Sequence, residues 1–230
     1  MSAATSFAYF GTELSLFEKA RNWKHYWRNQ IAHYIHGDVL EVGAGIGSNT
    51  RLLAGLSFDS WIAIEPDAAL ADRIDLPSAR HRKQVATIKE IGGRFDTILY
   101  VDVLEHIEDD RAELLRARDR LKPGGWLIVL APAHPFLFGP FDAAIGHHRR
   151  YTRASMRAIV PGSMKEVRLD YLDCGGLLAS FANRVLLKSA HPAEWQVLFW
   201  DRVLVRTSRL MDRAFRGRVG KAVLGIWRLE

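Results

Sequence analysis

The segment Val39-Leu-Glu-Val-Gly-Ala-Gly-Ile-Gly-Ser-Asn-Thr50 constrains the fold more than any other part of the chain. A short apolar run that ends in three spaced glycines and passes into a helix-competent stretch reads as a buried parallel strand turning tightly into a helix. The glycines allow the tight turn and bring backbone N–H groups against a ligand. Turns of this kind also serve dinucleotides and phosphates, and two details discriminate. The spacing is Gly43-x-Gly45-x-Gly47, one residue short of the dinucleotide fingerprint between its last two glycines. Glu41 also stands at the strand's end, a poor neighbour for a pyrophosphate and a good one for a cationic ligand.

The chain continues the alternation that this turn begins. Residues 12–36 read as a helix whose aromatic face (Phe17, Trp23, Tyr26, Trp27, Ile31, Tyr34) recurs at spacings of three and four. Strands are expected at 38–42, 61–64, 84–88, 95–101 and 126–130, with helices at 48–56, up to Ile74, and at 109–121 between them. That order predicts a parallel sheet covered on both faces. Residues 131–150 form a loop rich in Pro, Gly and aromatics, too long for a simple connector and therefore expected to be functional. A short helix at 153–160, a strand at 167–171, helices at 175–188 and 193–215, and a last strand at 221–227 complete the reading. The stretch between those last two strands exceeds what a crossover needs, so 175–217 is expected to be a helical cap.

At 230 residues, 48% hydrophobic and 25% charged, the chain has material for one ordinary core, which excludes disorder and fibrous repeats. Its single cysteine, Cys174, cannot form an internal bridge, no apolar run nears a membrane span, and the opening residues lack the layout of a secretory leader. A reducing, cytoplasmic setting is the expectation. The net charge of +6 is concentrated, with eight basic against three acidic residues over 201–230 and four arginines without an acid over 143–160. Such a face fits nucleic acid, membrane headgroups or an anionic substrate, and a solvated helix surface equally well.

Four motifs, in order over residues 38–131, carry a resemblance: Glu41-Val-Gly-Ala-Gly-Ile-Gly47, Glu65 closing the second strand, Asp102-Val-Leu-Glu-His-Ile107 after the fourth, and Leu121-Lys-Pro-Gly-Gly-Trp-Leu-Ile-Val129 entering the fifth. Together they resemble the class I S-adenosylmethionine-dependent methyltransferases. The resemblance implies an α/β, Rossmann-like doubly wound fold: a mostly parallel seven-stranded sheet with helices on both faces and, here, a helical cap insertion. It implies S-adenosyl-L-methionine as cofactor, its methionine part on Glu41, Gly43, Gly45, Gly47, Asn49 and Thr50 and its ribose on Glu65 beside Pro66. Many members carry an Asp after the third strand for the adenine; this chain reads Val85-Ala-Thr-Ile88, so Thr87 and Ile88 stand in, with Asp102 and Val103 completing the cofactor wall. The family's first helix usually folds over the cofactor, which puts Trp23 and Tyr26 in reach, although their helical spacing suits a core equally. The chain is thus read as one domain, 1–230, with a lid helix at 12–36, a cofactor core at 38–131, and a substrate side at 131–150 and 175–217. Beyond residue 131, Pro132-Ala-His-Pro135 and Gly146-His-His-Arg-Arg-Tyr-Thr152 are similar to a bacterial subgroup associated with sugar, lipid or secondary-metabolite pathways.

Methyl transfer is an in-line displacement at a sulfonium carbon, so the protein contributes positioning, desolvation and, for a hydroxyl acceptor, a base. Histidine is the usual base near neutral pH, and His106 and His134 are the two catalytic candidates, each of which also reads as a pocket-wall or loop residue. Phe138, His147, Arg149, Arg150 and Tyr151 are expected on the acceptor side, suited to an apolar molecule with an anionic group. No metal-ligand spacing occurs, and no metal is expected. The expected activity is methyl transfer to a small molecule, most simply at a hydroxyl oxygen of an anionic, lipid- or sugar-linked or secondary metabolite, with N- or C-methylation as the alternative and a non-catalytic cofactor-binding protein as a further one. Nucleic acid is disfavoured, because Asp102-Val-Leu-Glu105 stands where an amino-methylating enzyme carries Asn/Asp-Pro-Pro-Tyr/Phe. The basic C-terminal helices leave peripheral membrane contact open, and the oligomeric state is not written in the sequence.

Overall fold

The centre of the sheet is strand β1 (Asp38–Val42), where every residue after the first is buried. Val39 joins the core on one face while Leu40 and Val42 join the core on the other. A strand apolar on both sides can only sit inside a doubly covered sheet. The computed structural model describes residues 16–183 and 193–230. The further strands are β2 (Ser60–Glu65), β3 (His81–Val85), β4 (Phe95–Val101), β5 (Leu121–Pro132), β6 (Met164–Leu172) and β7 (Ala222–Leu229). They form one seven-stranded sheet in the order β3-β2-β1-β4-β5-β7-β6. Strands β1 to β5 pair in parallel, and β7 runs antiparallel to both β5 and β6. The connections after β1 move outward to β3 and then cross back to β4. The strand order therefore reverses between β1 and β4, the switch point at which α/β sheets form a ligand crevice at their carboxyl edge.

Helices α1 (Arg21–Ile31), α2 (Ser48–Leu53), α3 (Ala68–Asp72), α4 (Asp110–Asp119), α5 (Pro140–Ala144) and α6 (Arg153–Ile159) flank this sheet. Helix α7 (Cys174–Ala182), α8 (Glu194–Phe199), a π turn at Trp200–Leu204 and α9 (Val205–Phe215) build the cap. Buried aspartates fasten it. Asp201 accepts the backbone N–H groups of Asn22 and Trp23, closing the otherwise uncapped start of α1. Asp212 accepts Tyr26 Oη at 2.7 Å and the backbone N–H of Asp173 at 2.6 Å. Asp173 in turn accepts Gly176 N–H, Ser208 Oγ and Trp200 Nε1. Among the described residues no helix is long and apolar enough to cross a membrane.

Several boundaries differ from the sequence reading: the helix expected over 12–36 appears as α1 at Arg21–Ile31 after a break at 19–20, and the loop expected at 131–150 carries α5. The third strand comes earlier, at 81–85 rather than 84–88, because it is a polar edge strand exposed along most of its length. The apolar residues that suggested the later position, Ala86 and Ile88, are buried in the turn that follows it. The fifth strand begins at Leu121, opposite Phe95, and resumes with Trp126 opposite Thr97, so the expected turn at 122–125 is a bulge within it. The helix expected at 193–215 is interrupted by the π turn. The positions 12–15 and 184–188 assigned to helices lie outside the described residues.

Candidate active site

Three glycines at the end of β1 adopt left-handed backbone, with φ of 68° at Gly43, 55° at Gly45 and 75° at Gly47. A Cβ on Gly43 would lie 2.6 Å from both methyl groups of Val103, so the loop after β1 presses against the loop after β4. On its other side the loop meets β2: Gly45 N–H donates to Glu65 Oε2 at 2.8 Å, and Asp67 N–H donates to Glu65 Oε1 at 3.0 Å. Glu65 is thereby fixed at the crevice with acceptor capacity remaining on both oxygens. Burial raises its carboxyl above the usual range against the pull of those two backbone bonds.

Glu41 lies beneath the same loop, 3% exposed. Its Oε2 accepts Thr50 Oγ1 at 2.7 Å and Trp61 Nε1 at 2.9 Å, while its Oε1 is buried without a partner. Burial pushes its carboxyl up to about 7. Lys24 of α1 donates to Ser48 Oγ at 2.8 Å at the start of α2. Trp23 and Tyr26 are both turned into the core, Trp23 against Trp200 and Tyr26 onto Asp212. Asn49 is half-buried on α2, and Pro66 is exposed at the end of β2. After β3, Ile88 is buried while Thr87 is exposed, with its N–H and hydroxyl both on Glu90 Oε2.

The end of β4 carries the densest chemistry. Asp102 has a φ of 55°, left-handed backbone that a non-glycine residue holds only under strain, and its N–H is pinned by Leu130 O. Glu105 is 1% exposed, with Oε1 3.7 Å from His147 Nε2. The rings of His106 and His147 meet edge to face with centroids 4.6 Å apart. Burial first, and then the neighbouring His147, push the His106 imidazole down to about 3. The long loop reaches this cluster because His148 N–H donates to Glu105 O, and Tyr151 Oη donates to Leu104 O and Asp110 Oδ2.

The structure separates the other expected residues by role. His134 bonds Gly220 O through Nε2 at 2.9 Å and stacks near Tyr171, on the β5–β7 side. Arg149 pairs with Asp110 at 2.6 Å and Arg150 with Asp142 at 2.7 Å, so both guanidinium groups are engaged within the protein. Tyr151 is buried, and Phe138 is half-buried. Asp142, which the sequence reading passed over, accepts His147 Nδ1, Arg150 Nε and Gly139 N–H. The signal was there: it is the one acid in an otherwise basic twenty-residue loop.

A profile of the methyltransferase-domain family matches residues 27–164, more than half of the chain. The chain belongs to that family. It is a class I S-adenosylmethionine-dependent methyltransferase, and its cofactor is S-adenosyl-L-methionine. The methyltransferase is 32% identical over 124 residues, 47% of its length, to the hybrid PKS-NRPS synthetase mpsA of Macrophomina phaseolina (strain MS6), a match that spans only 3% of that protein. Its fold is similar to that of N-methyltransferase NodS from Bradyrhizobium japonicum WM9 in complex with S-adenosyl-L-homocysteine, with a TM-score of 0.58 at 16% identity over 93% of this chain and 87% of that one. It is also similar to a complex of the Haloferax volcanii Trm112 methyltransferase activator with a methyltransferase, at a TM-score of 0.63 and 14% identity, over 96% and 94% of the two chains. At these identities the likeness is one of fold.

Proposed function

We propose that the methyltransferase acts on a hydroxyl oxygen of a small molecule held against the end of β4. The observation that carries this reading is the cluster of Asp102, Glu105, His106 and His147 across the crevice from the glycine loop. Bound there, S-adenosyl-L-methionine supplies a methyl group already activated on a sulfonium. This chain's residues would do the rest. The partnerless Glu41 oxygen suits the cofactor's ammonium group, held in place by Thr50, with Asn49 beside it. Gly43, Gly45 and Gly47 let backbone approach the ligand, Glu65 would accept from the ribose beside Pro66, and Ile88 with Thr87 would border the adenine. Asp102 and Val103 would close the wall toward the acceptor.

On the acceptor side, His106 is the better placed of the two histidines, since its ring meets His147 beside Glu105 at the end of β4, whereas His134 lies on the β5–β7 side. A neutral His106 would take a hydrogen bond from the acceptor hydroxyl and orient its lone pair toward the methyl carbon. Phe138 and His147 would complete that side. Arg149, Arg150 and Tyr151 would act by holding the long loop against β4 and α4. A second reading, N-methylation, is favoured by the carboxylates of Asp102 and Glu105, which suit an ammonium-bearing acceptor. The test is His106→Ala with a hydroxyl acceptor. The expected result is a kcat at least a hundredfold lower with cofactor affinity nearly unchanged. Near-full kcat in the variant would contradict the oxygen reading and favour the amine.

A further inference from the structure

One carboxylate and two imidazoles converge at the end of β4. Glu105, His106 and His147 each offer one ligand atom, and the three atoms lie within 4.8 Å of one another. The pair Glu105 Oε1 and His147 Nε2 stands at 3.7 Å. Two donors sharing one ion at about 2.0–2.2 Å lie roughly 3–4 Å apart, so this pair already has the required spacing. Glu105 Oε2 is fully buried and has no hydrogen-bond partner. A buried carboxylate oxygen without a donor is costly unless a cation answers it.

The surroundings of the two histidines are those of ligands. His147 Nδ1 lies 2.9 Å from Asp142 Oδ1, which assigns the proton to Nδ1 and directs the Nε2 lone pair toward Glu105. Asp142 is itself 1% exposed and clamped by Arg150 Nε at 2.7 Å and Gly139 N–H at 2.9 Å. A carboxylate that fixes an imidazole in this way is a recurring support of metal-binding histidines. The His106 ring is likewise hydrogen-bonded to the backbone of Gly146. His148 N–H donates to Glu105 O at 2.8 Å, tying the loop that carries His147 to the turn that carries the other two residues.

We infer that Glu105, His106 and His147 bind one divalent transition-metal ion, of the Zn2+ or Mn2+ kind, with Asp142 as the positioning residue for His147. Two imidazoles and a carboxylate suit these ions better than Mg2+, which prefers an all-oxygen shell. Three protein ligands leave coordination positions open, the arrangement of a catalytic rather than a structural centre. Resting on the hydroxyl reading above, an ion there would bind the acceptor oxygen and lower the pKa of its hydroxyl, whose proton leaves to water. With the ion bound, His106 would meet the acceptor oxygen through the ion rather than by a direct hydrogen bond.

The test uses the full chain stripped with EDTA and titrated calorimetrically with ZnCl2 and, separately, MnCl2, with neither cofactor nor acceptor present. The expected result is one equivalent of saturable binding that raises Tm. Glu105→Gln and His147→Ala should each weaken it by at least a hundredfold, Asp142→Asn by about 10- to 100-fold, and His148→Ala not at all. Circular dichroism checks the fold of each variant, and His147→Gln stands in if His147→Ala does not fold. Absence of stoichiometric binding to folded wild-type protein overturns the inference, as does equal affinity in a folded His147 variant. Because the titration involves no methyl transfer, its failure leaves the proposed activity standing, and a failed transfer assay with intact metal binding has the opposite meaning.

Discussion

At the end of β1, Glu41 has one oxygen on Thr50 and Trp61 and the other on nothing, and both facts have consequences that can be measured. Its folded-state value of about 7 lies above the roughly 4.3 of an unfolded glutamate, so folding favours its protonated form. That contribution is complete below about pH 4.3 and is lost as pH rises through 7, a change of about 3 kcal/mol. Glu41→Gln keeps an acceptor for Thr50 and Trp61 without the titration. The stability difference between variant and wild type, read from urea unfolding, is therefore expected to move by about 3 kcal/mol in the variant's favour between pH 4 and 8. A difference independent of pH contradicts the assignment. Glu65 makes the complementary case, its carboxylate held at the crevice by the backbone N–H groups of Gly45 and Asp67. Glu65→Ala is expected to weaken S-adenosyl-L-methionine by about 1.5–3 kcal/mol, roughly 10- to 150-fold, in calorimetry. Unchanged affinity means the ribose lies elsewhere.

At the scale of elements, the glycine turn and the cap make different demands. Gly45 combines left-handed backbone with a hydrogen bond to Glu65, so Gly45→Val is expected to abolish saturable cofactor binding while the far-ultraviolet spectrum stays native. Binding that survives would show that the loop is not the cofactor's seat. In the cap, Asp173→Ala strands the buried donors of Gly176, Ser208 and Trp200, and a loss of about 3 kcal/mol or more in urea unfolding is expected. A loss below about 1 kcal/mol would show that these bonds do not secure the cap. The glycine turn and the strands around it were legible in the sequence because they depend on local pattern, on β1 apolar to both faces and on Gly43, Gly45 and Gly47 at fixed spacing. The edge strand β3 was misplaced because its own residues are polar and the apolar ones follow it. Asp173, Asp201 and Asp212 were invisible for another reason. Each acts on a partner brought to it by the fold, and no spacing in the chain marks Asp201 as the cap of a helix that begins at Arg21.

Over the whole molecule, the crossing from β3 back to β4 opens the crevice, the glycine loop and Glu65 line one side, and the long loop brings His147 to Glu105 and His106 on the other. Arg149, Arg150 and Tyr151, expected on the substrate side, tie that loop to its surroundings through Asp110, Asp142 and Leu104. The charge of Arg149 and Arg150 is thus answered within the protein. The most direct measurement is a competition between matched acceptors that differ only in a hydroxyl against an amine, with methyl-labelled S-adenosyl-L-methionine and product analysis by mass spectrometry. The expected result is label on the hydroxyl compound, dependent on His106 and Glu65; label on the amine alone, or transfer that survives both Glu65→Ala and His106→Ala, would contradict the account.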